Sequence, residues 1–211
     1  MIPTKNEWMD ALIARHGLDL HKRFSSATVA ICGLGGLGSN IAIALARAGI
    51  GKLLLIDFDR VDITNLHRQQ YKVNQIGCYK TEALAEILLE IAPYTEAKAV
   101  KAKITEENFV ALLKDADIVC EAFDNAESKA MLVNGVLEQL PDCYLVAASG
   151  MAGMDTPNTI QTRKVMKRFY LCGDRTSDVA DTIGLVAPRV MLCAAHQAHI
   201  VLRILAGEYE V

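Results

Sequence analysis

Seven polar side chains and a run of glycines stand at spacings that fit chemistry on a polyphosphate. Gly33, Gly35, Gly36 and Gly38 come after the apolar run Thr28–Cys32 and precede Ile41–Ala48, a pattern of strand, tight turn and helix. Glycines there let backbone approach a phosphate, and the helix start offers free N–H groups and partial positive charge. Asp57, nineteen residues past Gly38, sits where a ribose-binding acid belongs. Taken alone, this is a dinucleotide fingerprint, and an NAD dehydrogenase fits it. The next stretch of chain is denser in polar groups: Asp59, Asn65, Arg68 and Gln69, then Lys80. Two cations near one glycine turn suit a triphosphate better than a pyrophosphate already capped by two nucleosides, since Arg grips phosphate oxygens bidentately and Lys acts as a point charge. At ~4 Å and an effective dielectric of ~20, each such charge pair contributes on the order of 4 kcal/mol before desolvation. Asp124-Asn125 then succeeds an apolar run ending at Phe123. A carboxylate beside a triphosphate needs a cation between them, so Asp124 is the candidate Mg²⁺ ligand. The alternative for Asp124 is an N-cap, with Asn125 starting the next helix.

The elements that must position these groups alternate. Strands are expected at Thr28–Cys32, Lys52–Ile56, Glu96–Lys103, Asp117–Cys120 and Cys143–Ala148, and helices at Lys80–Ile91, Glu106–Leu113 capped by Thr105, and Ala126–Leu140. This order predicts an α/β, Rossmann-like, mostly parallel sheet with helices on both faces. Lys5–Phe24 reads as one or two amphipathic helices. Beyond Gly150, Thr159–Lys164 and Val165–Leu171 read as antiparallel additions, 172–183 as a mobile loop, and Arg189–Leu205 as a last helix ended by Gly207. The expected organisation is one domain over residues 1–211, with 1–24 as a helical N-terminal segment.

Composition narrows the classes. At 211 residues, 52% hydrophobic but only 6% aromatic, the chain suits a buried parallel sheet built on Ala, Leu, Ile and Val. The formal charge of −3 offers no long-range attraction for nucleic acid or anionic membrane, and no local basic face stands out. Neither a signal-peptide core nor a bilayer-length apolar run is present, so a cytoplasmic protein is expected. The six cysteines include no Cys-x-x-Cys pair, which argues against a zinc or redox pair.

Together the motifs resemble a family. Gly33-Leu-Gly-Gly-Leu-Gly-Ser-Asn40, Asp57-Phe-Asp-x-Val-Asp-x-x-Asn-Leu-x-Arg-Gln69, Gly77-x-x-Lys80 and Phe123-Asp-Asn125 are similar to the ThiF, MoeB and ubiquitin-activating adenylyltransferases, most like the compact ThiF variants. The resemblance implies ATP-dependent adenylation of the C-terminal glycine carboxylate of a ubiquitin-fold, ThiS-like sulfur carrier ending in Gly-Gly, for thiamine thiazole synthesis, with release of pyrophosphate. A related acceptor, the molybdopterin carrier or a modified tRNA base, is the alternative. By position, Gly33, Gly35, Gly36 and Gly38 would line the nucleotide. Asp57 and Asp59 would meet ribose and neighbouring polar atoms, Asn65, Arg68, Gln69 and Lys80 the phosphates, and Asp124 the Mg²⁺. The carrier's carboxylate attacks the α-phosphorus, so catalysis is alignment plus charge neutralisation. The resemblance also implies a homodimer in which an arginine from the partner's N-terminal segment enters the site, here Arg15, with Arg23 as the other candidate. Many relatives hold structural zinc on two Cys-x-x-Cys pairs; none is expected here. Cys172 and Cys78 are the cysteines near places where sulfur transfer would occur. His196 and His199, at i, i+3, read as a polar helix strip.

Overall fold

The computed structural model describes residues 2–211, with Met1 outside the described residues. Five parallel strands come first along the chain: β1 (Thr28–Cys32), β2 (Lys52–Asp57), β3 (Glu96–Lys101), β4 (Ile118–Glu121) and β5 (Tyr144–Ala148). With β6 (Gln161–Met166) and β7 (Phe169–Gly173) they make one seven-stranded sheet of order β3-β2-β1-β4-β5-β7-β6. Central strands are buried on both faces, as their continuous apolar runs require, whereas β3 and β6, at the two edges, hold no buried residue. Antiparallel pairing is confined to β6 with β7; β7 itself joins β5 in parallel, so the C-terminal pair lengthens the sheet by a crossover rather than by two antiparallel additions.

Helices cover both faces. On one side α3 (Gly36–Ala48), α4 (Lys80–Ile91) and α7 (Ala187–Ala206) bury Leu37, Ile41, Leu45, Leu84, Leu88, Val190 and Val201 against Val29 and Ile31 of β1. On the other, α5 (Phe109–Leu113) and α6 (Ala126–Gln139) pack Phe109, Leu113, Leu132 and Val136 against Ala30 and Cys32. The alternation of β1 side chains between the two cores is the period-two signature of a strand buried on both faces. Helix α5 starts later than its expected N-terminus: the Thr105 amide donates to Asn108 Oδ1 at 2.9 Å, which stabilises a turn over 106–108 instead of a helical cap. The N-terminal segment is two helices, α1 (Lys5–His16) and α2 (Leu18–Ser26); a Thr4/Glu7 capping box starts the first.

The chain order reverses between β1 and β4, which lie side by side in the sheet while their succeeding helices, α3 and α6, cover opposite faces. In open α/β sheets the crevice at the carboxyl ends of such a strand pair is where ligands bind. The glycine turn, Asp57 and Asp124 all stand at or just past strand ends on that edge.

Candidate functional site

The glycine turn is the sharpest piece of backbone in the site. Gly33 has φ +91°, and a Cβ there would fall 2.8 Å from the Ala122 carbonyl oxygen; one on Gly38 would fall 1.9 Å from the Gly33 oxygen. Only glycine lets β1 turn into α3 while the Ala122–Phe123 backbone presses against it. A Cβ on Gly36 would meet Val190 of α7 at 2.9 Å and the Arg68 stem at 3.4 Å, so the turn is closed on that side too. Gly35 has more room, with the Gln69 amide nitrogen at 3.7 Å. Among the described residues no side chain caps the N-terminus of α3. Its first amides are therefore available to an anion.

Asp57 is buried, and both its oxygens are used by backbone: the Leu34 amide donates to Oδ2 at 2.6 Å and the Asp59 amide to Oδ1 at 2.8 Å. Placed in the sequence as a ribose contact, it also holds the glycine turn to the end of β2. The buried Tyr71 hydroxyl adds a second brace, donating to the Leu34 carbonyl at 2.7 Å; burial, with Asp57 and Asp59 nearby, pushes its ionisation far up. Lys80 is buried at the start of α4, and its ammonium meets Asp59 Oδ2 at 2.8 Å. The segment from Asn65 to Gln70 folds over α3. Asn40 Nδ2 donates to the Gly36 and Arg68 carbonyls, Gln70 Nε2 donates to Asn40 Oδ1, and the Arg68 and Gln69 amides donate to the Asn65 carbonyl.

Arg68 is the telling residue. Its stem lies against the glycine turn, and its guanidinium meets the Thr64 carbonyl and His67 but forms no ion pair among the described residues. Arg68 Nε and the neighbouring Gln69 Oε1 are buried polar atoms without a hydrogen-bond partner among the described residues. Such atoms cost about 1–3 kcal/mol each when nothing satisfies them, so a site that keeps them is built to receive polar groups.

Asp124 is exposed, and its side chain accepts no hydrogen bond among the described residues. It is not the helix cap: Asn125 takes that position, its Oδ1 accepting from the Ser128 amide at 2.8 Å, which leaves the Asp124 carboxylate free. Below it lies a pair that no motif marks. Glu121, fully buried, takes the Lys129 ammonium on Oε2 at 2.6 Å and the Phe123 amide on Oε1 at 2.8 Å, while Lys129 also donates to the Ala148 carbonyl at 2.9 Å. The pair ties the Phe123-Asp124 turn to the ends of β4 and β5. A buried acid seldom survives without a cation beside it, and a Lys eight residues on, in the next helix, was the available signal.

Several expected residues lie elsewhere. Arg23 is exposed and donates to the Ala206 carbonyl at 2.8 Å, at the end of α7. Arg15 is exposed in the last turn of α1. Cys172 belongs to β7, not to a loop; it is buried, and burial pushes its thiol up to about 12, the reverse of what a reactive cysteine needs. Cys78 is exposed just before α4. Residues 174–177 of the expected mobile loop are pinned by Asp174, whose Oδ1 accepts from the Thr176 and Ser177 amides at 2.8 Å. Three cations lie against aromatic rings at the end of β2: Arg60 and Lys101 lie on Tyr79 at 3.8 and 3.2 Å from the ring centre, and Lys103 faces the Phe58 ring at 6.0 Å. These groups flank the end of β2 beside Asp57, where β2 and β3 run in register.

Among the described residues no helix is long and apolar enough to cross a membrane, and no group of three His, Cys, Asp or Glu is placed to hold a metal. A single free carboxylate is still what Mg²⁺ uses when a polyphosphate and water supply the other oxygens, so Asp124 fits that ion.

Comparison with known proteins sets this geometry among relatives. The model of the ThiF family matches residues 9–211. The tRNA threonylcarbamoyladenosine dehydratase of Bacillus subtilis is 34% identical over 157 residues, 74% of this chain and 60% of the relative. The molybdopterin-synthase adenylyltransferase of Escherichia coli is 30% identical over 192 residues, 90% of this chain and 77% of the relative. Among solved structures, the Escherichia coli tRNA N6-threonylcarbamoyladenosine dehydratase in complex with AMP superposes with a TM-score of 0.86, at 22% identity, over 99% of this chain and 98% of the other. That likeness shows a shared fold.

Proposed function

This chain belongs to the ThiF family of adenylyltransferases, and from that premise we propose that it uses ATP to adenylate a carboxylate presented by a macromolecular acceptor. The observation that carries the reading is Arg68: its stem lies on the glycine turn, its guanidinium forms no ion pair among the described residues, and its buried Nε and Gln69 Oε1 are unsatisfied there, beside the uncapped start of α3. A structure of a relative in complex with ATP supports the nucleotide.

In the reaction, an acceptor carboxylate oxygen attacks the α-phosphorus of ATP. A new P–O bond forms, the bond to the β-phosphate bridge breaks, and pyrophosphate leaves with the electron pair. The α3 amides and Arg68 hold the phosphates in line, and Lys80, steadied by Asp59, faces the developing charge. Asp57 keeps the turn in place beneath them. Asp124 would hold Mg²⁺, which supplies charge neutralisation on the polyphosphate. Arg15 would act from a partner protomer.

For the acceptor, a modified base of tRNA has the better support. A threonylcarbamoyl group ends in a carboxylate, and activation succeeded by loss of AMP on ring closure amounts to dehydration, the activity for which two of the relatives are named. The cations Arg60, Lys101 and Lys103 offer phosphate contacts, and the exposed Phe58 ring a stacking face, beside the nucleotide site. A tRNA acceptor replaces the expectation that nucleic acid has no part. The sulfur-carrier reading keeps one specific observation: Met154, Val179 and Ile183 are exposed on loops beyond Gly150, an apolar rim suited to a protein partner. Thiazole synthesis is one form of that second reading. Incubation with ATP and either modified tRNA or a carrier ending in Gly-Gly separates the two: AMP release with tRNA, lost in Lys101→Glu/Lys103→Glu, supports the first. Exchange of pyrophosphate only with the carrier supports the second and removes the first.

A further inference from the structure

Arg189 lies in the first turn of α7 and is 5% exposed. A buried arginine is rare unless every donor is satisfied. Here all are. Nε donates to the Ala152 carbonyl at 3.1 Å; Nη1 to the Asp155 and Thr156 carbonyls at 2.9 and 3.1 Å; Nη2 to Thr159 Oγ1 at 3.1 Å and to Asp174 Oδ2 at 2.5 Å. The five N–H groups of one guanidinium thus join two loops that are separate in sequence.

Asp174 completes the join from the other side. Its Oδ1 takes the Thr176 and Ser177 amides, and its Oδ2 takes the Ser177 hydroxyl, whose oxygen in turn accepts from the Ala152 amide at 3.0 Å. Burial alone would raise this carboxyl; the bonds from Ser177, Thr176 and Arg189 overcome it and hold Asp174 far below the usual carboxylate range. The two loops touch again where a Cβ on Gly150 would fall 2.0 Å from Asp174 Oδ1, and where the Gly153 amide donates to the Gly184 carbonyl at 2.8 Å.

Position gives the join its purpose. The loops leave the carboxyl ends of β5 and β7, and β5 is the neighbour of β4, beyond whose end stands Asp124. One residue along α7, Val190 backs the glycine turn at Gly36. The first turn of α7 therefore contacts the phosphate cradle with one side chain and the two loops with the next. The loops hold the exposed Met154, Val179 and Ile183.

We propose that Arg189 and Asp174 are a positioning pair, locking the loops 149–159 and 173–184 into one wall on the acceptor side of the site and indexing that wall to the phosphate cradle through α7. The pair touches neither nucleotide nor acceptor. It sets where the acceptor carboxylate arrives. The inference rests on the adenylation reading for its kinetic consequence, but not for its structural one.

Arg189→Lys keeps the charge and cannot make the five bonds; Asp174→Asn keeps acceptors for the Thr176 and Ser177 amides and removes the ion pair. Both variants and the parent protein are compared by hydrogen exchange, by ATP binding, and by acceptor-dependent AMP formation. Faster exchange is expected at the amides of Ala152, Thr176 and Ser177, with exchange in β1 and α3 unchanged. The acceptor KM should rise at least ten-fold while ATP affinity stays within two-fold. Unchanged loop exchange in both variants overturns the proposal, as does loosened loop exchange with an unchanged acceptor KM. An equal loss of ATP and acceptor binding assigns the pair a merely structural role and also overturns it. If the parent protein adenylates neither acceptor, the adenylation reading fails by itself, and the exchange comparison still decides whether the pair holds the loops together.

Discussion

Removing the Lys129 ammonium should cost more stability than removing any other surface-reaching side chain near the site. Glu121 beneath it is completely buried, and Lys129 is 27% exposed, so water replaces only part of what the ammonium supplies. Breaking a buried pair by deleting one partner costs roughly 3–5 kcal/mol, and partial exposure places Lys129→Met near the lower end, about 3 kcal/mol. In a chain of this size that corresponds to a fall in Tm of roughly 6–12 °C. The pH dependence gives the loss a signature. Burial raises the Glu121 carboxyl above its ordinary value while Lys129 pulls it back. An acid whose pKa is raised on folding binds its proton more tightly in the folded state. Stability therefore falls as pH climbs from the unfolded value, about 4.5, through the raised folded one, and is flat above it. Without Lys129 the folded value rises further, so the difference between parent and variant grows with pH. Urea unfolding at about pH 5.5 and about pH 8 measures it, and Glu121→Gln/Lys129→Met should recover most of the loss. A destabilisation below about 1 kcal/mol that is equal at both pH values would refute the reasoning.

Gly38→Ala puts a methyl group 1.9 Å from the Gly33 oxygen, so it should destabilise the protein by at least ~1–3 kcal/mol and abolish ATP binding by calorimetry; retention of both would mean the turn is not closed. Arg68→Ala, at a guanidinium with no ion pair among the described residues, should lower ATP–pyrophosphate exchange by about 10²–10³, while its circular dichroism spectrum matches the parent's; exchange within about three-fold of the parent removes Arg68 from the machinery. Asp174 is held low on folding, so its stabilisation is present above the unfolded value near 3.8 and lost as pH falls from about 5 toward the folded value. Asp174→Asn should therefore be less stable at about pH 7 and show a flatter acid limb in thermal melts; parallel limbs would contradict the assignment.

The alternating architecture was legible because each buried strand and amphipathic helix wrote its own period. The glycine turn could be read to the residue, since Gly33 and Gly38 are places where a side chain has no room. Partners far apart in sequence were not legible. Nothing local tells that β7 crosses to lie parallel with β5, because the choice rests on burial of Tyr170 and Cys172 beneath α7 rather than on strand propensity. Cys172 looked like a loop residue from the polar run after it, and the contact of Arg23 with the Ala206 carbonyl, 183 residues on, had no local sign. Glu121 and Arg189 each sit in an apolar stretch as one charged residue, a conflict with the surroundings that pointed to a buried partner without naming it. Asp57 was legible by type and place, but its grip on the Leu34 amide required the folded turn.

Adenylation of an acceptor carboxylate stands or falls on acceptor-dependent exchange of labelled pyrophosphate into ATP. Exchange should require Mg²⁺ and an acceptor bearing a free carboxylate, modified tRNA first and a carrier ending in Gly-Gly second, and should be lost in Arg68→Ala. Tight NADH binding with no exchange on either acceptor would contradict it.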